Sequence, residues 1–180
     1  MGSSVHIAAT ESMESSTAIK TGRSVALSIQ NLIDCTDPSM QSLGADFEYV
    51  LQNGGIDTEA SYPSTGTRGP CKYTPAGKGA SFTVVYNVSG GDESTLTNLV
   101  WKYGPVAVTV DATSWEFYNG GVDSAPCGTP DHAALVVGYT GDYWIVQNSW
   151  GTDWGINGYI YIARNRNNAS CIAYSGLVAV

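Results

Sequence analysis

The sequence predicts an α+β fold, with helices in the first part of the chain and strands in the second. Helix-like segments with stop signals lie before about residue 80, whereas short runs rich in β-branched and aromatic residues lie after it. A chain of 180 residues with 43% hydrophobic content is also long enough to bury a core. We therefore expect a helical lobe at residues 1–80 and a sheet lobe at residues 81–180.

Three helices are predicted in the helical lobe. The first covers residues 4–19, where many hydroxyl side chains make the apolar pattern imperfect, and Thr21-Gly22 supplies its stop signal. A short helix is predicted for residues 28–34. Another is predicted for residues 43–52, because Asn53-Gly54-Gly55 ends the pattern with residues that favour turns.

The sheet is predicted to begin after a loop. Residues 61–79 are rich in Pro, Gly, Ser and Thr, a composition typical of loops. A helix at residues 92–103 interrupts the strands, with Asp92 as its predicted N-cap. The predicted strands cover residues 80–88, 105–111, 131–139, 143–151, 158–163 and 177–180.

Two of these strands carry the residues that point to chemistry. The strands at 131–139 and 143–151 are separated by a short turn containing Gly141, which predicts a hairpin. One strand contributes His132 and the other contributes Asn148. An imidazole beside a side-chain amide forms the base and the orienting group of a nucleophilic triad. On spacing alone, a histidine and an asparagine on adjacent strands are more often structural.

Charge and cysteine content exclude several classes of function. Acidic residues outnumber basic ones by 16 to 8, giving a net charge of −8, so nucleic acid and anionic membrane surfaces are not expected partners. No apolar run approaches the roughly 20 residues of a membrane span, and no signal peptide is evident. The four cysteines lack Cys-x-x-Cys or Cys/His spacing, so we expect neither a metal site nor a cofactor.

The motifs around the hairpin closely resemble the papain and cathepsin L family of cysteine proteases, and the likeness covers nearly the whole chain. It implies a papain-like two-lobe fold, with a helical left lobe, an antiparallel β-barrel-like right lobe and the active-site cleft between them. The motifs that carry it are His132-Ala133, Gly138-Tyr139, Asn148-Ser149-Trp150-Gly151, Trp154-Gly155, Gly158-Tyr159, residues 28–35, residues 53–57, Ala60-Ser61-Tyr62-Pro63 and Tyr103-Gly104-Pro105-Val106.

The resemblance implies that Ser4 occupies the position of the nucleophile. In the family that residue is the second cysteine of Cys-Gly-Ser-Cys-Trp, at the start of a long central helix, whereas the matching text here is Met1-Gly2-Ser3-Ser4-Val5. His132 and Asn148 follow Ser4 by 128 and 144 residues. Considered alone, Ser4 is more simply interpreted as a helix N-cap.

The resemblance also implies a substrate cleft that differs from the family pattern. Asp37-Pro38-Ser39-Met40-Gln41 replaces a glycine-rich loop along which peptide substrates lie, and the family segment that precedes the nucleophile motif, with its oxyanion-hole glutamine, is expected to be missing. Trp150 and Trp154 are expected to shield the His–Asn contact, although tryptophans on strands are equally often plain core. The expected cleft residues are Met40, Gln41, Leu43, Ala133 and Trp150.

Further expectations concern covalent features. By resemblance, Cys35 pairs with Cys71 and Cys127 with Cys171, and the chain is expected to be secreted or held in a lysosome-like vesicle. Asn87-Val88-Ser89 and Asn168-Ala169-Ser170 match the N-glycosylation pattern, which often occurs by chance. His6 has no counterpart in the family, and we expect it on the surface.

One branch of this family, the silicateins, has the same serine for cysteine replacement. The sequence resembles that branch at three positions, which are Ser4, Ala133 and the non-tryptophan residue Val5. The branch usually has an aromatic residue where Val5 stands. This resemblance implies a Ser-His-Asn hydrolase that hydrolyses and condenses silicon alkoxides and self-associates into a filament or lattice, with silica or silicic acid as a partner. The alternatives are a catalytically inactive homologue with a structural or binding role and a residual cathepsin L-like peptidase.

Overall fold

The structure is a computed structural model that describes residues 2–180. Its α-helices agree with the predicted ones in order and closely in extent. Met1, which is expected to replace the first cysteine of the family motif, lies outside the described residues. The α-helices are α1 (Ser3–Thr21), α2 (Ile29–Cys35), α3 (Leu43–Asn53) and α4 (Glu93–Tyr103).

Local capping explains where these helices begin and end. The side chains of Ser28, Ser42 and Asp92 each accept a hydrogen bond from a backbone N–H in the first turn of α2, α3 and α4, respectively. Gly22 and Gly54 follow α1 and α3 in the left-handed conformation, with φ of 72° and 79°. Glycine adopts this conformation without steric cost, so the predicted stop signals act as expected.

The strands form one large sheet and one small ribbon. The large sheet has seven strands in the order β3-β9-β4-β6-β7-β8-β5, and all neighbouring pairs are antiparallel except β5 with β8. Because β3 and β5 lie at opposite edges, the sheet does not close, and the expectation of a barrel-like sheet is wrong. The strands are β1 (Ile56–Asp57), β2 (Lys78–Ala80), β3 (Val85–Ser89), β4 (Val106–Val110), β5 (Val122–Asp123), β6 (His132–Tyr139), β7 (Tyr143–Gln147), β8 (Tyr159–Ala163) and β9 (Ser175–Ala179).

Helix α1 lies against the sheet at β4, β6 and β9. Its buried hydroxyl groups explain the imperfect apolar pattern of its sequence. Ser12 donates a hydrogen bond to the Pro105 carbonyl and Ser16 donates one to the Ala179 carbonyl, so both side chains are buried with their polar groups satisfied. These two bonds fasten the helix to the sheet in addition to apolar packing.

The core consists of two clusters of buried side chains. One joins α4 to the strands of the large sheet, and the other joins α1, α2 and α3 to one another. The second cluster also includes Ala107, Ala133 and Ala179 from β4, β6 and β9, so the helices pack directly on the sheet. The division into lobes at residues 80 and 81 stays a prediction.

Two further expectations are decided by the structure. The disulfide pairing is confirmed, because Cys35 is bonded to Cys71 and Cys127 to Cys171. The surface position of His6 is wrong, because its side chain is buried and its Nδ1 lies 2.9 Å from a carboxylate oxygen of Asp46 on α3. This buried pair ties the first turns of α1 to α3.

Candidate active site

Ser4 is the second residue of α1 and is almost completely buried. Gly2 occupies the N-cap position of that helix, so the interpretation of Ser4 as the N-cap is wrong. The Ser4 Oγ accepts a hydrogen bond of 3.2 Å from the backbone N–H of Ala133, the residue that follows His132. The hydroxyl group therefore lies where the first turn of α1 meets the start of β6.

His132 and Asn148 are brought together by the β6–β7 hairpin. The His132 Nε2 lies 2.7 Å from the Asn148 Oδ1, and Oδ1 also accepts a hydrogen bond of 2.8 Å from the Ser149 N–H. Because Oδ1 can only accept, Nε2 carries the proton and Nδ1 is the unprotonated nitrogen of a neutral ring. The Asn148 N–H donates to the Gly158 carbonyl at 3.0 Å, which holds this residue in place at the end of β7.

The Asn148 amide is held through its oxygen alone. Its Nδ2 is buried and has no hydrogen-bond partner within residues 2–180. The amide oxygen, and not the NH₂ group, is therefore the atom that faces the imidazole.

Three tryptophans surround this contact. The Trp150 ring centroid lies 5.1 Å from that of His132, and Trp115 meets the imidazole edge-to-face at 6.0 Å. Trp154 packs against both of these tryptophans and donates its indole N–H to the Trp115 carbonyl at 2.9 Å. The aromatic rings keep much of the bulk solvent away from the imidazole, which strengthens its hydrogen bond to Asn148.

Trp115 is the residue that the sequence did not reveal. It lies in a loop between polar residues, Ser114 and Glu116, and no strand or helix periodicity marks it as a site residue. Its side chain is nevertheless fully buried. Only the packing of this loop against the start of β6 brings Trp115 to His132.

Burial is the main electrostatic influence on the imidazole. It lowers the pKa of His132 below the ordinary 6.5, while the hydrogen bond to Asn148 and the charge of Asp131 act in the opposite direction. His132 is therefore neutral at pH 7. A neutral imidazole can accept a proton, which is the state that a general base requires.

The expected cleft residues occupy different environments. Met40 is exposed, and Gln41 lines a small hollow of about 170 Å³ with Gly2 and Ser3 at the start of α1. Leu43 is buried in the core instead, and only the backbone of Ala133 faces the site.

A cavity of about 500 Å³ opens beside the imidazole. Trp150 is 43% exposed and forms part of its wall. A larger hollow of about 810 Å³ lies around Asp142 and Arg164 and contains none of the expected site residues. The smaller cavity is the one that reaches the imidazole, and it is lined by Ala112, Thr113, Glu116, Asp131, His132 and Trp150.

Within residues 2–180, no group of three or more His, Cys, Asp or Glu side chains is placed to hold a metal ion. No helix in the same residues is long and apolar enough to cross a membrane.

Comparison with known proteins identifies the family of this chain. The family described as papain family cysteine protease matches residues 1–180. A silicatein from Petrosia ficiformis is 39% identical over 187 residues, and cathepsin L2 from Homo sapiens is 39% identical over 191 residues. Both alignments cover 96% of this chain, but only 55% and 57% of the two relatives. The chain thus spans a little over half the length of these curated relatives.

A solved structure agrees with these sequence relatives. Digestive procathepsin L2 proteinase from the larval midgut of Tenebrio molitor has a TM-score of 0.88 to this structure and is 38% identical in sequence. The match covers 99% of this chain and 61% of that protein. The papain-like fold is therefore confirmed, and the chain belongs to the papain family of cysteine proteases.

Proposed function

We propose that this chain is a silicatein-like Ser-His-Asn hydrolase that hydrolyses and condenses silicon alkoxides. The observation that carries the proposal is the convergence of the three groups. The Ser4 hydroxyl is hydrogen-bonded to the N–H beside His132, and the imidazole is oriented by Asn148 at 2.7 Å. A hydroxyl nucleophile, a neutral base and an orienting group suffice for hydrolysis through a covalent intermediate.

The first step transfers the silicon centre to Ser4. A serine hydroxyl is too weak an acid to be ionised beforehand, so His132 Nδ1 takes its proton as Oγ attacks silicon. The Si–O bond to the leaving alkoxide then breaks, and His132 returns the proton to release an alcohol. The backbone N–H groups at the start of α1 favour the negative charge that develops on the reacting oxygens.

The second step frees the enzyme. Water attacks the silyl ether on Ser4 while His132 accepts a proton from that water. The Si–Oγ bond breaks, Oγ recovers the proton, and a silanol leaves. Two silanols then condense to a siloxane with loss of one water. The sheltered position of His132 among Trp115, Trp150 and Trp154 supports its role in both steps, because the ring is held in one orientation.

The relatives support the family but do not choose between its branches. The silicatein and cathepsin L2 matches are both 39% identical to this chain. Ser4 favours the silicatein branch, because a cysteine peptidase relies on a thiolate that a hydroxyl group cannot replace. The two disulfides support location in an oxidising compartment, either outside the cell or in a lysosome-like vesicle.

The test measures silica formation from tetraethoxysilane at neutral pH. We expect Ser4→Ala and His132→Ala each to lose roughly 10²–10⁴-fold in rate, the range that a positioned acid–base group contributes. Ser64→Ala is the matched control, because Ser64 is an exposed loop serine. If both site variants keep the parental rate, the site is inert, and a structural or binding role of an inactive homologue becomes the better account.

A further inference from the structure

The two N-glycosylation sequences differ sharply in their structural settings. Asn87 and Ser89 lie on strand β3, and both side chains are exposed. Residues two apart on a strand point to the same face, so the acceptor amide and the hydroxyl lie side by side. Neither side chain makes a hydrogen bond within residues 2–180. The Asn87 sequence is therefore accessible in the folded chain.

The Asn168 sequence is built into the fold. The Asn168 Oδ1 accepts a hydrogen bond of 2.7 Å from the Ala173 N–H, and the side chain lies against Gly91. Ser170 is fully buried, where its hydroxyl lies 3.3 Å from both the Trp115 indole nitrogen and an Asp123 carboxylate oxygen. A sugar attached to Asn168 would extend from Nδ2, the amide atom that lies against Gly91, so this packing would have to open to admit it.

We propose that Asn87 carries an N-linked glycan in the secreted chain and that Asn168 does not. In the transfer, the Asn87 amide nitrogen forms a bond to the anomeric carbon of a lipid-pyrophosphate-linked oligosaccharide. The carbon–oxygen bond to the pyrophosphate breaks, the lipid pyrophosphate leaves, and the amide loses one proton. Transfer occurs on nascent chains, but a chain modified at Asn168 cannot pack this side chain against Gly91 and is removed before secretion.

The position of Asn87 also gives the glycan a physical consequence. Among residues 2–180, edge strand β3 pairs only with β9, so its other side presents unpaired backbone groups. Its sequence, Val85–Ser89, contains neither a charged residue nor a proline, the two side-chain features that usually prevent edge strands from pairing. A glycan at Asn87, in the middle of β3, covers this edge.

The first experiment maps the glycan on the parent chain, secreted from a eukaryotic cell line. Peptide N-glycosidase in ¹⁸O-water converts a glycosylated asparagine to labelled aspartate, which mass spectrometry locates without any substitution. We expect the label at Asn87 and unmodified amide at Asn168. Asn87→Gln should lose the entire glycan mass. A label at Asn168, or an unmodified Asn87 in the secreted parent, would overturn the assignment.

The second experiment tests shielding of the edge by sedimentation velocity. Asn87→Gln protein, which lacks the glycan, should contain a larger associated fraction than the glycosylated parent. Asn87→Lys, which also lacks the glycan but places a charge on the edge, should sediment like the parent. Equal association of Asn87→Gln and the parent would refute the shielding role. Both variants lie outside the candidate active site, so their rates with tetraethoxysilane should equal that of the parent.

Discussion

A hydroxyl group at position 4 makes the protonation state of one histidine decisive. In a thiol enzyme the imidazole is charged before substrate arrives, because it stabilises a thiolate. Here the Ser4 hydroxyl is neutral, and the buried His132, hydrogen-bonded through Nε2, is neutral as well. With serine at position 4, the same arrangement of residues therefore requires a neutral histidine, whereas a thiol enzyme requires a charged one. This reversal has a measurable consequence in the dependence of rate on pH.

The rate of alkoxide hydrolysis should fall as pH falls through the lowered pKa of His132. Protonation removes the base, so the acidic limb should have its midpoint below the ordinary 6.5. Asp131→Asn should move this midpoint further down, because the carboxylate of Asp131 stabilises the imidazolium. Exposed Asp142→Asn serves as the control and should leave the midpoint unchanged. A midpoint above 6.5 in the parent would contradict the neutral-base assignment.

At the scale of elements, α1 connects the candidate nucleophile to the rest of the fold. Besides Ser4, it carries His6, which pairs with Asp46 on α3, and Glu11, which accepts a hydrogen bond of 3.2 Å from Gln147 on β7. Gln147 directly precedes Asn148. The helix thus contacts both the helical cluster and the strand that positions the orienting amide.

Glu11→Gln should stabilise the protein at alkaline pH. Burial, followed by the charge of Glu14, raises the pKa of Glu11 from 4.5 to about 7. A raised folded-state pKa means that the parent loses stability as pH rises from about 4.5 to about 7, because the carboxylate must ionise while buried. We expect the variant to gain about 2 kcal/mol at pH 8, after allowance for partial exposure, and little at pH 4.

Thermal unfolding across this pH range measures the effect. Glu48→Gln is the control, because Glu48 is an exposed residue of α3. A constant difference between Glu11→Gln and the parent from pH 4 to pH 8 would show that Glu11 does not titrate in this window.

At the scale of the whole molecule, the surroundings of the site argue against peptide cleavage. Exposed Met40 and the hollow-lining Gln41 are the residues expected in place of the family's cleft glycines, and a hydroxyl replaces the thiol. We expect no turnover of fluorogenic dipeptide substrates of cathepsins above the rate in buffer, and no labelling by thiol-directed epoxides. The companion variant Ser4→Cys restores the thiol and leaves Met40 and Gln41 unchanged, so it separates these two obstacles to peptide cleavage. Robust cleavage or labelling of the parent would support a residual peptidase instead.

Self-association is the second expectation at this scale. We propose that the chain forms a filament or lattice that binds silica or silicic acid, because charged residues make up only 13% of it. Copies with a net charge of −8 repel one another, so salt should promote assembly by screening. Electron microscopy and sedimentation at low and high salt test this. Monomers at every salt concentration would refute it.

The elements of the fold were largely predictable from local sequence. Ser28 and Asp92 cap their helices through hydrogen bonds to backbone within the same turn, and Gly22 ends α1 through its own φ. Such interactions involve residues close in the chain, so the sequence contains all that they need. The pairing of cysteines and the site at Ser4, by contrast, were expected only because motifs along the chain resemble a known family.

Contacts between distant parts of the chain were not predicted from the sequence, or were predicted wrongly. His6 was expected on the surface because it has no counterpart in the family. Nothing near it in sequence shows that Asp46, 40 residues away, is its buried partner. Trp115 has no periodic pattern, and only the packing of its loop places it against His132. The open sheet follows from β3 and β5 lying at opposite edges. Local chemistry therefore determines helices, strands and turns, whereas burial and long-range packing decide which side chains meet and with what charge.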